Sequence, residues 1–137
     1  MGNKYYTPEI SEFCVGFEYE RFIPKSNHTE EECWEKVTMS LNYLTLDEIE
    51  DEFIEKEIRV KYLDEQDILD CGFEKLSGDS NKITFKSINS SAGIYFYPDD
   101  RRKVLVYIDI YDYEGCIFDG YIKNKTELIK LLKQLGI

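Results

Sequence analysis

Residues 104–123 read VLVYIDIYDYEGCIFDGYIK, two runs of alternating apolar and polar character around a polar break. Alternation with a period of two predicts strands, and so short a break predicts an antiparallel hairpin. We therefore predict strands over 104–111 and 116–123. A three-residue loop, Tyr113-Glu114-Gly115, brings the apolar side chains of both strands to one face and puts Gly115 at the left-handed position that such loops require.

The outer side of this predicted hairpin carries tyrosines and carboxylates. Because Asp109 faces Asp119 in this register, and like charges opposite each other destabilise a ladder, two explanations stay open. The structural explanation is that the carboxylates turn into water or that the register is different. The functional explanation is that the face serves recognition, since tyrosine offers rigid contact area with a polar tip. The predicted pairs are Ile110–Phe118, Ile108–Gly120 and Val106–Ile122 on the core side, and Tyr111–Ile117, Asp109–Asp119 and Tyr107–Tyr121 on the outer side, where Tyr95 and Tyr97 extend the candidate interaction face.

Working outward, the neighbouring segments complete a sheet and the helix that covers it. Strands over 83–87 and 94–97, joined by short connections, extend the hairpin into an antiparallel meander. The segment 126–135 places leucines at the i, i+3, i+4, i+7 spacing of an amphipathic helix, which must bury against the sheet. These leucines are Leu128, Leu131, Leu132 and Leu135.

The N-terminal half adds strands and two shorter helices. The capping box of Thr45 and Glu48 predicts a helix over 46–55, and Asp64 caps a second helix that runs to Cys71. We expect an α+β fold: an antiparallel sheet, with a meander in its C-terminal half, packed by the C-terminal helix and these two helices. No repeat or linker divides the chain, so we predict one domain over residues 1–137. The further predicted strands are 13–22, 34–39 and 58–63.

Charge is distributed unevenly along the chain. The formal net charge is −11; residues 1–70 hold 19 acidic and 7 basic side chains, whereas residues 71–137 hold 9 and 10. Such a field repels phosphate backbones, so we expect no direct binding of nucleic acid or anionic membranes. The acidic side of the helix predicted over 46–55 is either a solvated face or a docking surface. The densest basic cluster, and the candidate anion contact, is Arg101, Arg102 and Lys103.

Signatures of catalysis and metal binding are missing from the sequence. The only histidine, His28, lies in a polar run, so nucleophilic triads and zinc sites are disfavoured. The glycine-rich phosphate loops are absent, and we predict neither a cofactor nor a metal. Paired carboxylates leave a hydrolase open, but in an acidic chain no particular pair stands out. The four scattered cysteines suit a reduced cytoplasmic protein, and the sequence shows neither a membrane span nor a secretion signal.

Three stretches of the chain resemble a group of small, uncharacterised proteins that bacteriophages and prophages encode. They are NKYYTPEI (3–10) followed by VGFEYE (15–20), IRVKYLD (58–64) running into Gly72-Phe73, and IKNKTEL (122–128). The segment 23–53 departs most from this group. The resemblance implies an accessory role inside the infected cell, in the host cytoplasm, and it carries no catalytic residues.

Three classes of function remain for a chain of this kind. A non-catalytic protein that blocks a host component, as a phage accessory or counter-defence factor, needs only a complementary surface, and acidic charge steers it to a basic host protein. A sponge for a small, cyclic nucleotide needs donors such as the cluster 101–103, inside an oligomer. A virion component needs oligomerising edges. We expect the first, with a homo-oligomer left open and no enzymatic activity.

Overall fold

The structure of the 137-residue chain, a computed structural model, describes residues 4–39, 58–100, 102–110 and 113–137. The chain divides into two compact units, Gly2–Tyr62 and Leu63–Ile137, each with its own apolar core. The prediction of one domain stays a prediction, and its signature is a single cooperative unfolding transition.

The N-terminal unit is built on an antiparallel sheet of four strands in the order β1-β4-β2-β3. Alternation along β2 and β3 sends Tyr19 and Val37 to the buried side, where they meet Ile58 and Val60. Two short 3₁₀ turns, Ile10–Glu12 and Glu31–Cys33, precede β2 and β3. The strands are β1 (Tyr5–Tyr6), β2 (Glu18–Phe22), β3 (Trp34–Thr38) and β4 (Ile58–Lys61).

The strand predicted over 13–22 is real only in its second half. The chain turns at Gly16, whose φ of +90° lies in the left-handed region that glycine adopts without strain. Phe13 nevertheless packs against Phe17 and Tyr19, with ring centroids 5.0 and 5.2 Å apart. The apolar pattern therefore identified Phe13, Phe17 and Tyr19 correctly, but Val15 is 61% exposed and the strand is shorter than predicted. The strands predicted at 34–39 and 58–63 correspond to β3 and β4.

In the C-terminal unit, the helix predicted after Asp64 is confirmed as α1 (Glu65–Asp70). The Asp64 carboxylate accepts a hydrogen bond from the N–H of Asp67 at 3.0 Å, and the Asp67 carboxylate accepts one from the N–H of Asp64 at 3.2 Å. This reciprocal box satisfies two N–H groups that have no partner within the helix. Gly72, with φ of +90°, follows its C-cap. Of the two shorter helices predicted, the described residues match only this one, and 46–55 lies outside them.

The predicted antiparallel meander is confirmed and gains a strand. It comprises β5 (Phe73–Gly78), β6 (Ile83–Ser87), β7 (Ala92–Tyr97), β8 (Lys103–Ile110) and β9 (Tyr113–Tyr121), in chain order across the sheet. Sequence patterning missed β5 because only Phe73 of its six residues is buried. Its register also shifts between Lys75 and Ser77, which breaks the alternation at Leu76.

The C-terminal helix, α2 (Lys125–Gln134), covers one face of this sheet. It begins at Asn124, whose buried side chain accepts a hydrogen bond from the N–H of Glu127 at 2.9 Å. Leu128 and Leu132 are buried, and Leu131 and Leu135 pack at the margin of the cluster. The sheet residues in this cluster include Phe85, Ile94, Phe96, Val104 and Val106. We call this side of the sheet the helix face.

Replacing Leu132 with Ala should lower the free energy of unfolding by about 2–5 kcal/mol, because it leaves a cavity between α2 and the sheet. Ile129→Ala on the same helix is the matched control, since Ile129 is 36% exposed and should cost far less. Urea unfolding of the two variants measures both values. Equal losses at the two positions would show that α2 is not docked through its leucine stripe.

Candidate functional site

The hairpin of β8 and β9 has a different register from the one that the sequence predicts. Ile110 pairs with Tyr113 and Asp109 with Glu114, so two residues separate the strands where three were expected. Asp119 lies opposite Leu105, and Tyr121 lies opposite Lys103. The predicted Asp109–Asp119 and Tyr107–Tyr121 pairs are therefore wrong, as are the core-side pairs. The remaining predicted pair, Tyr111–Ile117, includes a residue outside the described part of the chain.

A β-bulge explains why the predicted register fails. Phe118 pairs with Val106 and Cys116 pairs with Tyr107, so Ile117 is an extra residue in β9. An extra residue reverses the alternation of side chains beyond it, which keeps both Gly115 and Phe118 on the helix face. The prediction assumed one uninterrupted alternation in each strand. It therefore used a three-residue loop to bring the apolar side chains of both strands to one face, whereas in the structure the bulge does this.

Apart from Tyr111, which is outside the described residues, the candidate face residues lie on one side of the sheet, although through different pairings. We call this side, opposite the helix face, the tyrosine face. Three rows of cross-strand partners define it: Tyr97–Lys103–Tyr121, Tyr95–Leu105–Asp119 and Gly93–Tyr107–Cys116. Asp109 and Glu114 continue it at one end, and Thr84 and Lys86 of β6 continue it sideways.

The centre of the tyrosine face depends on a glycine that the sequence did not single out. The Tyr107 ring lies over Gly93, where a Cβ atom would overlap the ring. Tyr95 stacks on Tyr107 with centroids 4.7 Å apart, and the Lys82 ammonium lies 4.0 Å from the centroid of the Tyr95 ring. Tyr107 is buried as a result, although no helix among the described residues packs on this face. The sequence offered one indication of this contact: a glycine within a strand often marks a place where another group approaches the backbone closely.

A hydrogen bond at Tyr95 and burial at Tyr107 favour the protonated form of the two central phenols. The Glu114 carboxylate accepts a hydrogen bond from Tyr95 and raises the pKa of that phenol well above its ordinary value. Burial raises the pKa of Tyr107. The two hydroxyl groups are therefore neutral polar tips at physiological pH.

The predicted anion contact is only partly assembled on this face. Lys103 makes an ion pair with Asp119 at 3.4 Å, which raises the pKa of the lysine, and its ammonium lies 6.0 Å from the centroid of the Tyr97 ring. Asp119 thus has a cationic partner, where the predicted register gave it a carboxylate. Arg102 lies in the turn before β8 with φ of +60°, and Arg101 is outside the described residues. Their role as anion contacts stays a prediction.

A second cluster, in the N-terminal unit, surrounds Arg59. Its guanidinium lies between the rings of Tyr5 and Trp34, 3.7 and 4.1 Å from their centroids. It donates to Glu20 at 3.1 Å and to Glu31 at 2.7 Å, and the latter bond holds the pKa of Glu31 below its usual value. Because the pairing of β2 with β4 is distant in sequence, local patterning did not predict this cluster. It joins four strands and a 3₁₀ turn on the outer side of the N-terminal sheet.

Replacing Gly93 with Ala should destabilise the fold by about 1–3 kcal/mol, because the added methyl group collides with the buried Tyr107 ring. In a Tyr107→Ala background the same replacement should cost little, so the two effects should be strongly non-additive. Gly115→Ala is the control, since a Cβ there meets nothing closer than 3.9 Å. Denaturant unfolding of the set measures the coupling, and additive losses would contradict the ring-over-glycine contact.

Replacing Glu114 with Gln should lower the pKa of Tyr95 toward the ordinary tyrosine value of about 10, because it removes the strongest cause of the rise. A raised folded pKa adds stability that is fully present below the unfolded pKa and is lost as pH rises through the folded pKa. The wild type should therefore lose more stability above about pH 10 than Glu114→Gln does. Alkaline titration followed by tyrosinate absorbance and circular dichroism tests this, with Glu74→Gln on β5 as the control.

Comparisons with known proteins do not assign this chain to a family. We found no significant match to a family model, to a curated protein or to a solved structure. Within residues 4–39, 58–100, 102–110 and 113–137, no group of three or more His, Cys, Asp or Glu side chains is arranged to hold a metal ion. No helix in this part of the chain has the length and apolar character needed to cross a membrane.

Proposed function

We propose that this chain is a non-catalytic protein that acts by stoichiometric binding to a host component, as a phage accessory or counter-defence factor. The observation that supports this most directly is the tyrosine face. It presents ordered aromatic side chains on the side of the C-terminal sheet that α2 leaves uncovered.

Preorganisation makes this face suited to binding. Tyr95 and Tyr107 are stacked, and Lys82 and Glu114 hold Tyr95 from two sides. Side chains that are already ordered lose little conformational entropy when a partner arrives. Tyrosine also combines a large apolar ring with a hydrogen-bonding tip, which is why it is frequent among the residues that dominate binding energy.

The distribution of polarity on the face follows the anatomy of a protein interface. Tyr95, Leu105 and Tyr107 form a partly buried apolar centre, while charged side chains lie around it. Interfaces typically combine an apolar centre with a polar rim that fixes orientation. The rim residues are Lys82, Lys86, Lys103, Asp109, Glu114 and Asp119, with Tyr121 exposed at the edge.

The acidic charge of residues 1–70 adds a means of attracting a partner. A surplus of carboxylates steers a basic protein toward the chain and raises the association rate without requiring a specific contact. The resemblance to phage-encoded proteins supports a host component as that partner. Association with a basic host protein should accordingly slow as salt rises above physiological levels, where the screening length falls below about 8 Å.

A second candidate, a sponge for a small nucleotide, is favoured by one feature of the same face. Lys103 lies between Tyr97 and Tyr121 on adjacent strands, which places an ammonium beside two rings on which a base can stack. Asp119 already pairs with this ammonium, and an anionic ligand must compete with it. The same arrangement therefore supports a protein partner more strongly than a phosphorylated ligand.

Replacing Tyr97 with Ala should weaken binding of the host component by about tenfold or more, as loss of an aromatic contact within an interface does. Tyr113→Ala is the matched control, because Tyr113 is 74% exposed but its register position is on the helix face. The partner is captured from host extract with the purified chain, and the affinity of each variant is then measured by calorimetry.

Equal affinities for the two variants would place the binding surface elsewhere. Recovery of a chemically altered ligand, at more than one molecule per chain, would replace the proposal with an enzymatic one. Stabilisation by a cyclic nucleotide that depends on Lys103, with Lys86→Ala unaffected, would favour the sponge.

A further inference from the structure

Strand β9 forms an outer edge of the C-terminal sheet. It is nine residues long, it pairs with β8 on one side, and no strand among the described residues pairs with its other side. An unpaired edge presents a row of backbone N–H and C=O groups, which is a template for another strand. Proteins that keep such an edge free normally shorten it or place charges on it.

The other edges of the two sheets have this protection to a greater degree. β1 has two residues, β3 has Glu35 and Lys36 among its five, and β5 has Glu74 and Lys75 among its six. β9 has only Glu114 and Asp119 among its nine residues. Its large apolar side chains are instead solvent-accessible: Tyr113 is 74% exposed, Tyr121 59% and Ile117 38%.

We propose that β9 pairs antiparallel with β9 of a second copy of this chain, about a twofold axis between Ile117 and Phe118. The two five-stranded sheets then form one continuous sheet of ten strands. A twofold axis perpendicular to the sheet keeps the tyrosine faces of both copies on the same side.

The residues of β9 select this register. The bulge at Ile117 separates two regular segments, and side chains on the tyrosine face must meet side chains on the same face. One such register opposes Glu114 and Asp119, whose carboxylates repel each other. Shifting it by two residues takes the two carboxylates out of direct opposition and pairs residues 114–121. The pairs across the axis are then Glu114–Tyr121, Gly115–Gly120 and Cys116–Asp119.

Charge and shape both permit the association. Residues 71–137 hold 9 acidic and 10 basic side chains, so the region that approaches its copy carries no large excess of either sign. The opposed glycines let the two backbones approach closely at their middle pairs. The tyrosine faces also become continuous, with Tyr121 of the second copy beside Glu114. This gives one binding surface contributed by both copies.

Light scattering on the purified chain should give the mass of a dimer, and Ile117→Lys should give the mass of a monomer, because it places two like charges beside the axis. Leu76→Lys is the matched control, since Leu76 is also an exposed apolar residue at a register shift in an edge strand, on β5. It should remain a dimer. A monomeric wild type over about a hundredfold range of concentration overturns the proposal, as does loss of the dimer in both variants.

Cross-linking tests the register without weakening the edge. Opposed Cα atoms in an antiparallel pair are about 4.5–5.5 Å apart, which suits a disulfide bond. Asp119→Cys should therefore form a covalent dimer with Cys116 of the second copy under mild oxidation, and a further Cys116→Ser replacement should abolish it. Lys86→Cys, on the same face but on the interior strand β6, should form none. Failure of Asp119→Cys to cross-link while the mass remains dimeric rejects this register.

This inference does not depend on the proposed function. A monomeric mass would remove the paired sheet but leave the tyrosine face of a single copy able to bind its partner.

Discussion

The packing of α2 against one face of the five-stranded sheet is the constraint on which the rest of the C-terminal unit depends. Leu128 and Leu132 bury against Ile94, Val104 and Val106, and this contact decides which side of every strand is core. An antiparallel sheet needs only one covered face, so the other is left to polar and aromatic side chains. The tyrosine face exists because the apolar side chains were required on the opposite side.

That second face is more ordered than an ordinary solvent-facing surface. Its central ring, Tyr107, is buried although no helix in the described part of the chain covers it, because Gly93 removes a side chain from its path and Tyr95 stacks against it. The Glu114 carboxylate then orients the Tyr95 hydroxyl. A surface stabilised in this way keeps one shape, so its side chains have little conformational entropy left to lose.

The bulge at Ile117 links the two faces to the edge of the sheet. It lets Gly115 and Phe118 share the helix face while Cys116 and Asp119 share the tyrosine face. It also divides β9 into two regular segments, 113–116 and 118–121. In the proposed pairing of two copies, each segment lies opposite the other segment of the second copy, and no carboxylate lies directly opposite another. In the N-terminal unit, a cation organises the outer side of the sheet. The Arg59 guanidinium forms ion pairs with Glu20 and Glu31 and lies between the rings of Tyr5 and Trp34.

The sequence by itself determined the elements that depend on local physics. These elements are the cap at Asp64, the leucine stripe of α2, four of the five strands of the meander and the placement of tyrosines on one face. Each follows from neighbours a few residues apart. Tertiary structure alone decided the register of β9, the position of Tyr107 over Gly93 and the Arg59 cluster. Each of these joins residues on different strands. The position of a bulge and the cross-strand contacts depend on the energy of the whole sheet, so the periodicity of a single segment does not predict them.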